Sequence, residues 1–372
     1  MTDADSSRPR CGLDRRAFLA AGAGASAALI ATGNSAAGDA PKSTATDEVR
    51  DRARRLHRES IVVVIHDHNP VAPDIPQMLS GGVTCKVFQI GLDVDANRDF
   101  LKSAPIREGW SSRALKTLDE FDALLAAEPK RLMLAKTAAD IRQAKRDGKV
   151  AILLGVEGAK LLDGNVEMVE RFYNRGLREL QLRWGVPNQI VEDQALTPFG
   201  RDVVKECNRL GIIVGLTHIP QPAFFQVVEM TKHPPIICHG VATRVSERFT
   251  DVTDQQLKAL AALRGVIGLH FYSAYLGRKP TVERVVEQVD YIANLVGIDT
   301  VGLGIDFFPS TGEWREFQLS QNPKNIIAWA IPDIAHVHEV TEALVARNYS
   351  DADIKKVLGE NFLRVAKEVF GS

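Results

Sequence analysis

The chain has 372 residues, 45% apolar and 25% charged, with Lys plus Arg at 46 against Asp plus Glu at 47. This composition belongs to a globular protein and excludes the fibrous and disordered classes. A net charge of -1, with no long basic run, leaves no electrostatic footprint for nucleic acid.

The first forty residues stand apart from the rest. "LDRRAFLAAGAGASAALIATGNSAAGDA" sets Arg15 and Arg16 before Phe18 and Leu19, then runs through a weakly apolar Ala/Gly tract into small residues. It reads as a twin-arginine export signal cut near "NSAA", so the mature protein is expected to be periplasmic or secreted. The tract is too short and too rich in Gly to span a bilayer comfortably, and no later run reaches that length, so no stable membrane span is expected. Residues 41–57 read as a polar linker, and 58–372 as one domain.

From residue 61 onward, short β-rich runs alternate with helical patterns. The strand candidates are "IVVVI" (61–65), "TCKVFQIGL" (84–92), "VAILLGVE" (150–157), "LRELQL" (177–182), "GIIVGLTH" (211–218), "PIICH" (235–239), "GVIGLHF" (265–271) and "TVGLGID" (300–306). Amphipathic stretches at 112–127, 165–175, 199–210 and 281–296 fall between them. The strands are continuously apolar rather than alternating, as in a parallel sheet covered on both faces. Eight of them with intervening helices predict a TIM-like (β/α)8 barrel, with a doubly wound open sheet as the alternative. The tail reads as two helices with "YSDADIKK" between them, where Ser350 is an N-cap candidate and Asp353 lies three residues on. Cys85, Cys207 and Cys238 match no zinc-binding spacing and read as buried free thiols, one disulfide being the alternative in an exported protein.

In such a barrel the functional side chains belong at the C-terminal ends of the strands. His66 and His68 close the first strand, Glu157 the third, His218 and His239 the next two to carry such residues, and Asp306 the last. One histidine at a strand end is ordinary, but six metal-competent residues on five strand ends converge on one mouth. A buried carboxylate such as Glu157 is costly without a partner, and cations would remove that cost. Imidazole and carboxylate suit zinc and similar divalent ions, and a carboxylate can bridge two of them. Two such ions would activate water and polarise a carbonyl, with Asp306 as proton shuttle, so amide hydrolysis is the reaction class.

Several segments resemble the renal or membrane dipeptidase family, metallopeptidase family M19. They are "GVEGAKLLDGN" (155–165), "FYNRGLRELQLRW" (172–184), "LTPFGRDVVKECNRLGIIVGLTHIPQPAFFQVVE" (196–229), "PPIICHG" (234–240) and "TVGLGIDF" (300–307). The likeness runs from about residue 58 to the end. It implies a TIM-like barrel holding two zinc ions, with other divalent metals possible, that cleaves dipeptides. By motif it implies that Glu157 bridges the ions, that His218 and His239 bind the second, and that Asp306 is the catalytic acid and base. It also implies an Arg that holds the dipeptide carboxylate: Arg248, with Arg244 as the alternative. Family members commonly dimerise, so a homodimer is a further expectation.

Three departures bear on function. Where the family's first strand ends D-G-H-N-D, this chain has "HDHNP" (66–70). Aligned on "HN", Pro70 replaces a ligand Asp; shifted by two, His66 and His68 form a His-x-His pair on one side of a strand, with Asp67 pointing away. The shifted alignment is adopted here. Trp184 stands where the family places a substrate-polarising His, and "DFFP" (306–309) replaces D-F-D-G. The leading reading is an exported metal-dependent dipeptidase. A hydrolase of another amide or a lactam, and a binding protein that has lost turnover, are the competing ones.

Overall fold

The computed structural model describes residues 44–93, 109–185, 187–246, 251–308, 319 and 327–371. The strands in chain order are β1 Val63–Asp67, β2 Cys85–Leu92, β3 Leu132–Ala135, β4 Val150–Glu157, β5 Glu179–Gln181, β6 Val191–Glu192, β7 Ala195–Leu196, β8 Ile213–Gly215, β9 Ile236–Gly240, β10 Val266–Leu269 and β11 Val301–Leu303. Eight of them, β1, β2, β4, β5, β8, β9, β10 and β11, pair in parallel and close on themselves through β1–β2, β2–β4 and β1–β11. All eight were legible as apolar runs. β3, a four-residue "LMLA", was not; it lies along the first half of the β4 edge that β5 takes higher up. The antiparallel β6–β7 pair was likewise unforeseen.

Side-chain alternation sorts each strand into two layers. In β4, Ile152, Leu154 and Val156 join the apolar layer under the helices, while Ala151 and Leu153 fill the barrel interior. Glu157 continues the interior row, so this strand carries its carboxylate up the inside of the barrel to the mouth. Helices run between the strands, among them Trp110–Ala127, Pro198–Leu210 and Val282–Val296. Thr197 caps the second by accepting from the Gly200 N–H, and Pro198 follows at its first position.

Two segments differ from the sequence-based expectation. Residues 44–57 are not a linker: Thr44–Glu59 is a helix, and its Ala53 and Leu56 are buried. Their spacing, with Val49 four before Ala53, makes an apolar stripe that packs on the helix His338–Ala346. The stripe is easily overlooked because nine of the helix's sixteen residues are Arg, Asp or Glu flanking it. "YSDADIKK" opens the final helix rather than separating two. Ser350 accepts from the Asp353 N–H as its cap, and the helix runs through one π turn, Lys356–Glu360, to Phe370. Cys85, Cys207 and Cys238 are buried and free. Among the described residues, no helix is long and apolar enough to cross a membrane.

Candidate metal centre

The strand ends bring six side chains together at the C-terminal mouth. Glu157 is central: Oε2 lies 2.8 Å from His68 Nε2 and 3.6 Å from His66 Nε2, and Oε1 lies 3.2 Å from His218 Nε2 and 3.6 Å from His239 Nε2. Within each histidine pair the Nε2 atoms are 3.1 Å apart for His66 and His68 and 3.0 Å for His218 and His239. Asp306 Oδ1 faces the first pair at 3.6 and 3.5 Å. His66–His68–Glu157 and Glu157–His218–His239 are therefore two donor triads sharing one carboxylate.

Local backbone irregularity aims these groups. Simple alternation from Val63 and Ile65, which face the barrel interior, would send Asp67 inward and His66 outward. The register against β2 slips by one residue between Val64 and Asp67, so the parity changes there. His66 and His68 consequently face the centre, while Asp67 turns outward to Lys86 Nζ at 3.0 Å. The same Lys86 binds Asp74 at 2.8 Å, so one buried ammonium serves both carboxylates. A second slip, between β9 and β10, accompanies His239. His218 and Asp306 take left-handed φ values of 61° and 59°, a conformation that costs a non-glycine residue of order 1 kcal/mol and concentrates at functional sites.

The electrostatics follow from crowding donors in a buried site. Burial alone would raise the Glu157 carboxyl, but the charge of His66 and the contacts from His218, His66 and His68 hold it well below the ordinary carboxylate range. Burial likewise works against Asp306 as a carboxylate, and His239, His270 and His66 outweigh it and keep it ionised. Burial pushes His239 well down. In His68 and His218 the Glu157 carboxylate outweighs burial and raises both. Glu157 Oε2 and His66 Nδ1 are buried without a hydrogen-bond partner. A cluster of imidazole nitrogens and carboxylate oxygens at these separations, with orphaned donor atoms, fits a pair of divalent cations: such ions satisfy in one step atoms that protons satisfy only partly.

Two nearby residues escaped the sequence reading. His270, at the end of β10, is buried with Nε2 3.1 Å from Asp306 Oδ2; its position after "GVIGL" is the same strand-end signal that singled out the others. Gln181 donates from Nε2 to Glu157 Oε1 at 3.1 Å and accepts from Cys238 Sγ at 2.6 Å. Cys238 therefore serves as a buried donor beneath the centre. The sequence-predicted substrate groups are less gathered. Trp184 stands with its ring 6.3 Å from that of His218. Arg244 is on the turn Thr243–Val245, 73% exposed and 3.6 Å from Asp254, away from the centre. Arg248 lies outside the described residues.

A family model described as membrane dipeptidase (peptidase family M19) matches residues 42–370. The chain belongs to the membrane dipeptidase family. Dipeptidase tcpJ of Claviceps purpurea (strain 20.1) is 29% identical over 265 residues, 68% of this chain; the match spans 59% of that relative's own length. A crystal structure of an amidohydrolase from Pseudomonas aeruginosa superposes with a TM-score of 0.76 at 24% identity, covering 86% of this chain and 99% of that one. A metallo peptidase from Rhodobacter sphaeroides, liganded with a phosphinate mimic of the dipeptide L-Ala-D-Ala, superposes with a TM-score of 0.70 at 23% identity over 84% of this chain and 100% of its own. At those identities the likeness is one of fold: an α/β barrel of TIM type. Against the dipeptidase family pattern, this member carries His66-x-His68 on its first strand and Trp184 beside His218.

Proposed function

We propose that this chain hydrolyses the amide bond of dipeptides with two divalent cations, zinc foremost. One would be held by His66, His68 and Glu157, the other by Glu157, His218 and His239. The observation that carries the reading is the Glu157 carboxylate, with one oxygen on each histidine pair. Ions bound there would supply Lewis acidity to the scissile carbonyl and acidify water for attack at neutral pH. The chain's own part is to move protons and place the substrate. Asp306 Oδ1, on the His66–His68 side, takes the proton released on attack and returns it to the leaving amine. Gln181 steadies Glu157 from below. Trp184 offers a flat wall and one N–H donor beside His218, and Arg248 is the residue assigned to the substrate carboxylate. Family membership and the dipeptide mimic held by the Rhodobacter sphaeroides protein support the substrate class. The paired Arg15 and Arg16 support export by the twin-arginine route and work in the periplasm or outside the cell.

A second substrate class, an amide or lactam lacking the dipeptide's free carboxylate, is favoured by Trp184 and by the engagement of Arg244 with Asp254. One experiment separates the two. The mature protein is assayed on L-L and L-D dipeptides and on N-acylated and lactam analogues, with metal per chain measured in parallel. Two equivalents, and dipeptide turnover that chelator abolishes and zinc, manganese or cobalt restores, is the expected result. Glu157→Gln is expected to lose metal and more than about 100-fold of activity, beyond the range for residues that only orient a ligand. Normal metal content and turnover in that variant would end the bridging assignment.

A further inference from the structure

We propose that His270 is a positioning residue for the reaction, a fixed hydrogen-bond donor to Asp306 rather than a third histidine ligand of a cation. The proposal rests on the reading of Asp306 as acid and base. His239, His270 and Asp306 bring their donor atoms close enough for a cation, so proximity alone does not decide between the two roles. The hydrogen-bond pattern around the ring does.

The Tyr272 backbone N–H donates to His270 Nδ1 at 3.1 Å. A nitrogen that accepts carries no hydrogen, so the ring hydrogen sits on Nε2, and a protonated Nε2 has no lone pair for a metal. Turning the ring to free Nε2 is opposed by Tyr275, stacked on it at 4.0 Å between centroids and 27° between planes. The His239 ring meets it edge-on at 5.2 Å. Nε2 therefore points at Asp306 Oδ2 from 3.1 Å, off the linear approach, a geometry that catalytic hydrogen bonds often show before substrate draws them tight.

The Asp306 backbone is held at both ends as well. Its backbone N–H donates to the His66 carbonyl at 3.0 Å, and its own carbonyl accepts from Trp329 Nε1 at 3.0 Å. With Oδ2 engaged by His270, the proton-carrying oxygen is Oδ1, which faces His66 and His68. His270 thereby divides the carboxylate into an anchored oxygen and a working one. A carboxylate free to rotate would present either oxygen and lose the geometry of proton transfer.

The test uses the metal-loaded, full mature chain. His270→Leu keeps the volume and removes the donor; His270→Gln keeps an amide N–H. In His270→Leu, kcat is expected to fall about 10²-fold, the lower figure for deletion of one preorganised donor, with KM within about twofold and metal per chain unchanged. His270→Gln is expected to recover at least tenfold of that loss. Independently of any variant's folding, nitrogen-15 NMR of the histidine-labelled protein should show His270 with its hydrogen on Nε2, both with and without metal. Loss of a metal equivalent in His270→Leu, or a His270 ring with its hydrogen on Nδ1 in the loaded protein, would make it a ligand and overturn the proposal. Undiminished kcat in His270→Leu would overturn it too, provided Asp306→Asn is inactive. Full activity in Asp306→Asn would instead remove the acid–base reading and the proposal with it.

Discussion

Glu179 shows how much a single residue's environment adds to its identity. It sits on β5 two residues before Gln181, fully buried, and neither carboxylate oxygen has a hydrogen-bond partner. The oxygens occupy space left by two glycines: a Cβ on Gly155 or Gly215 would lie 2.5 or 2.6 Å from them. Burial first, and then the charge of Glu157, push this carboxyl well above the ordinary range. A folded-state pKa above the unfolded value means that the protonated form favours folding. That contribution is complete below the unfolded carboxyl's pKa and is lost as pH rises through the folded one. Glu179→Gln, which cannot ionise, should therefore gain on the wild type as pH rises: the Tm difference between them, followed by circular dichroism at fixed metal from pH 5 to pH 9, grows in the variant's favour. A flat or reversed difference would show the carboxyl ionised in the folded state. In the sequence, Glu179 is one carboxylate in "LRELQL" and nothing marks it, because its state depends on neighbours from β4 and β8.

At the scale of elements, close strand approach and the register slips do the aiming. Gly268 on β10 and Gly304 just past β11 leave room for the Cys238 carbonyl: a Cβ at either position would stand 2.2 or 2.1 Å from that oxygen. The obstruction is backbone, so a side chain there forces strands apart rather than turning a rotamer. Gly304→Ala is expected to cost about 1–3 kcal/mol or more in urea unfolding. It should also weaken metal retention, since His239 follows Cys238 directly and Asp306 lies two residues past Gly304. Unchanged stability and unchanged metal content would show that the barrel relaxes there freely. The eight strands and the main helices were legible because each apolar run is bounded by polar or glycine-rich sequence. The slips in β1 and β9 were not, since a bulge inserts a residue without any compositional mark. The His66-x-His68 pairing could be proposed from spacing alone. Its inward direction required the slip, for strict alternation from Val63 and Ile65 gives the opposite facing.

For the whole molecule, the mouth gathers imidazoles and carboxylates whose mutual contacts only cations complete, so metal should act on stability as well as on rate. A ligand at a hundred times its dissociation constant stabilises the folded state by about 2.7 kcal/mol, which for a chain of this size raises Tm by roughly 3–4 °C. Chelation is expected to lower Tm by at least that much while far-ultraviolet ellipticity at 25 °C stays unchanged, because the apolar barrel and helix layers do not include the centre. Unfolding on chelation at 25 °C would mean that the ions hold the barrel closed. Composition and period by themselves determined a parallel sheet covered by helices and favoured the barrel over an open sheet, since long apolar runs between amphipathic helices bury their surface in few other ways. They determined six of the gathered residues too, because in such a barrel a strand's end is also a place in space. Tertiary structure alone decided which way His66 and His68 face, that Glu157 lies between two histidine pairs, and that His270 and Gln181 attend it. Those outcomes depend on packing and backbone register between segments far apart in the chain, and no local pattern encodes them.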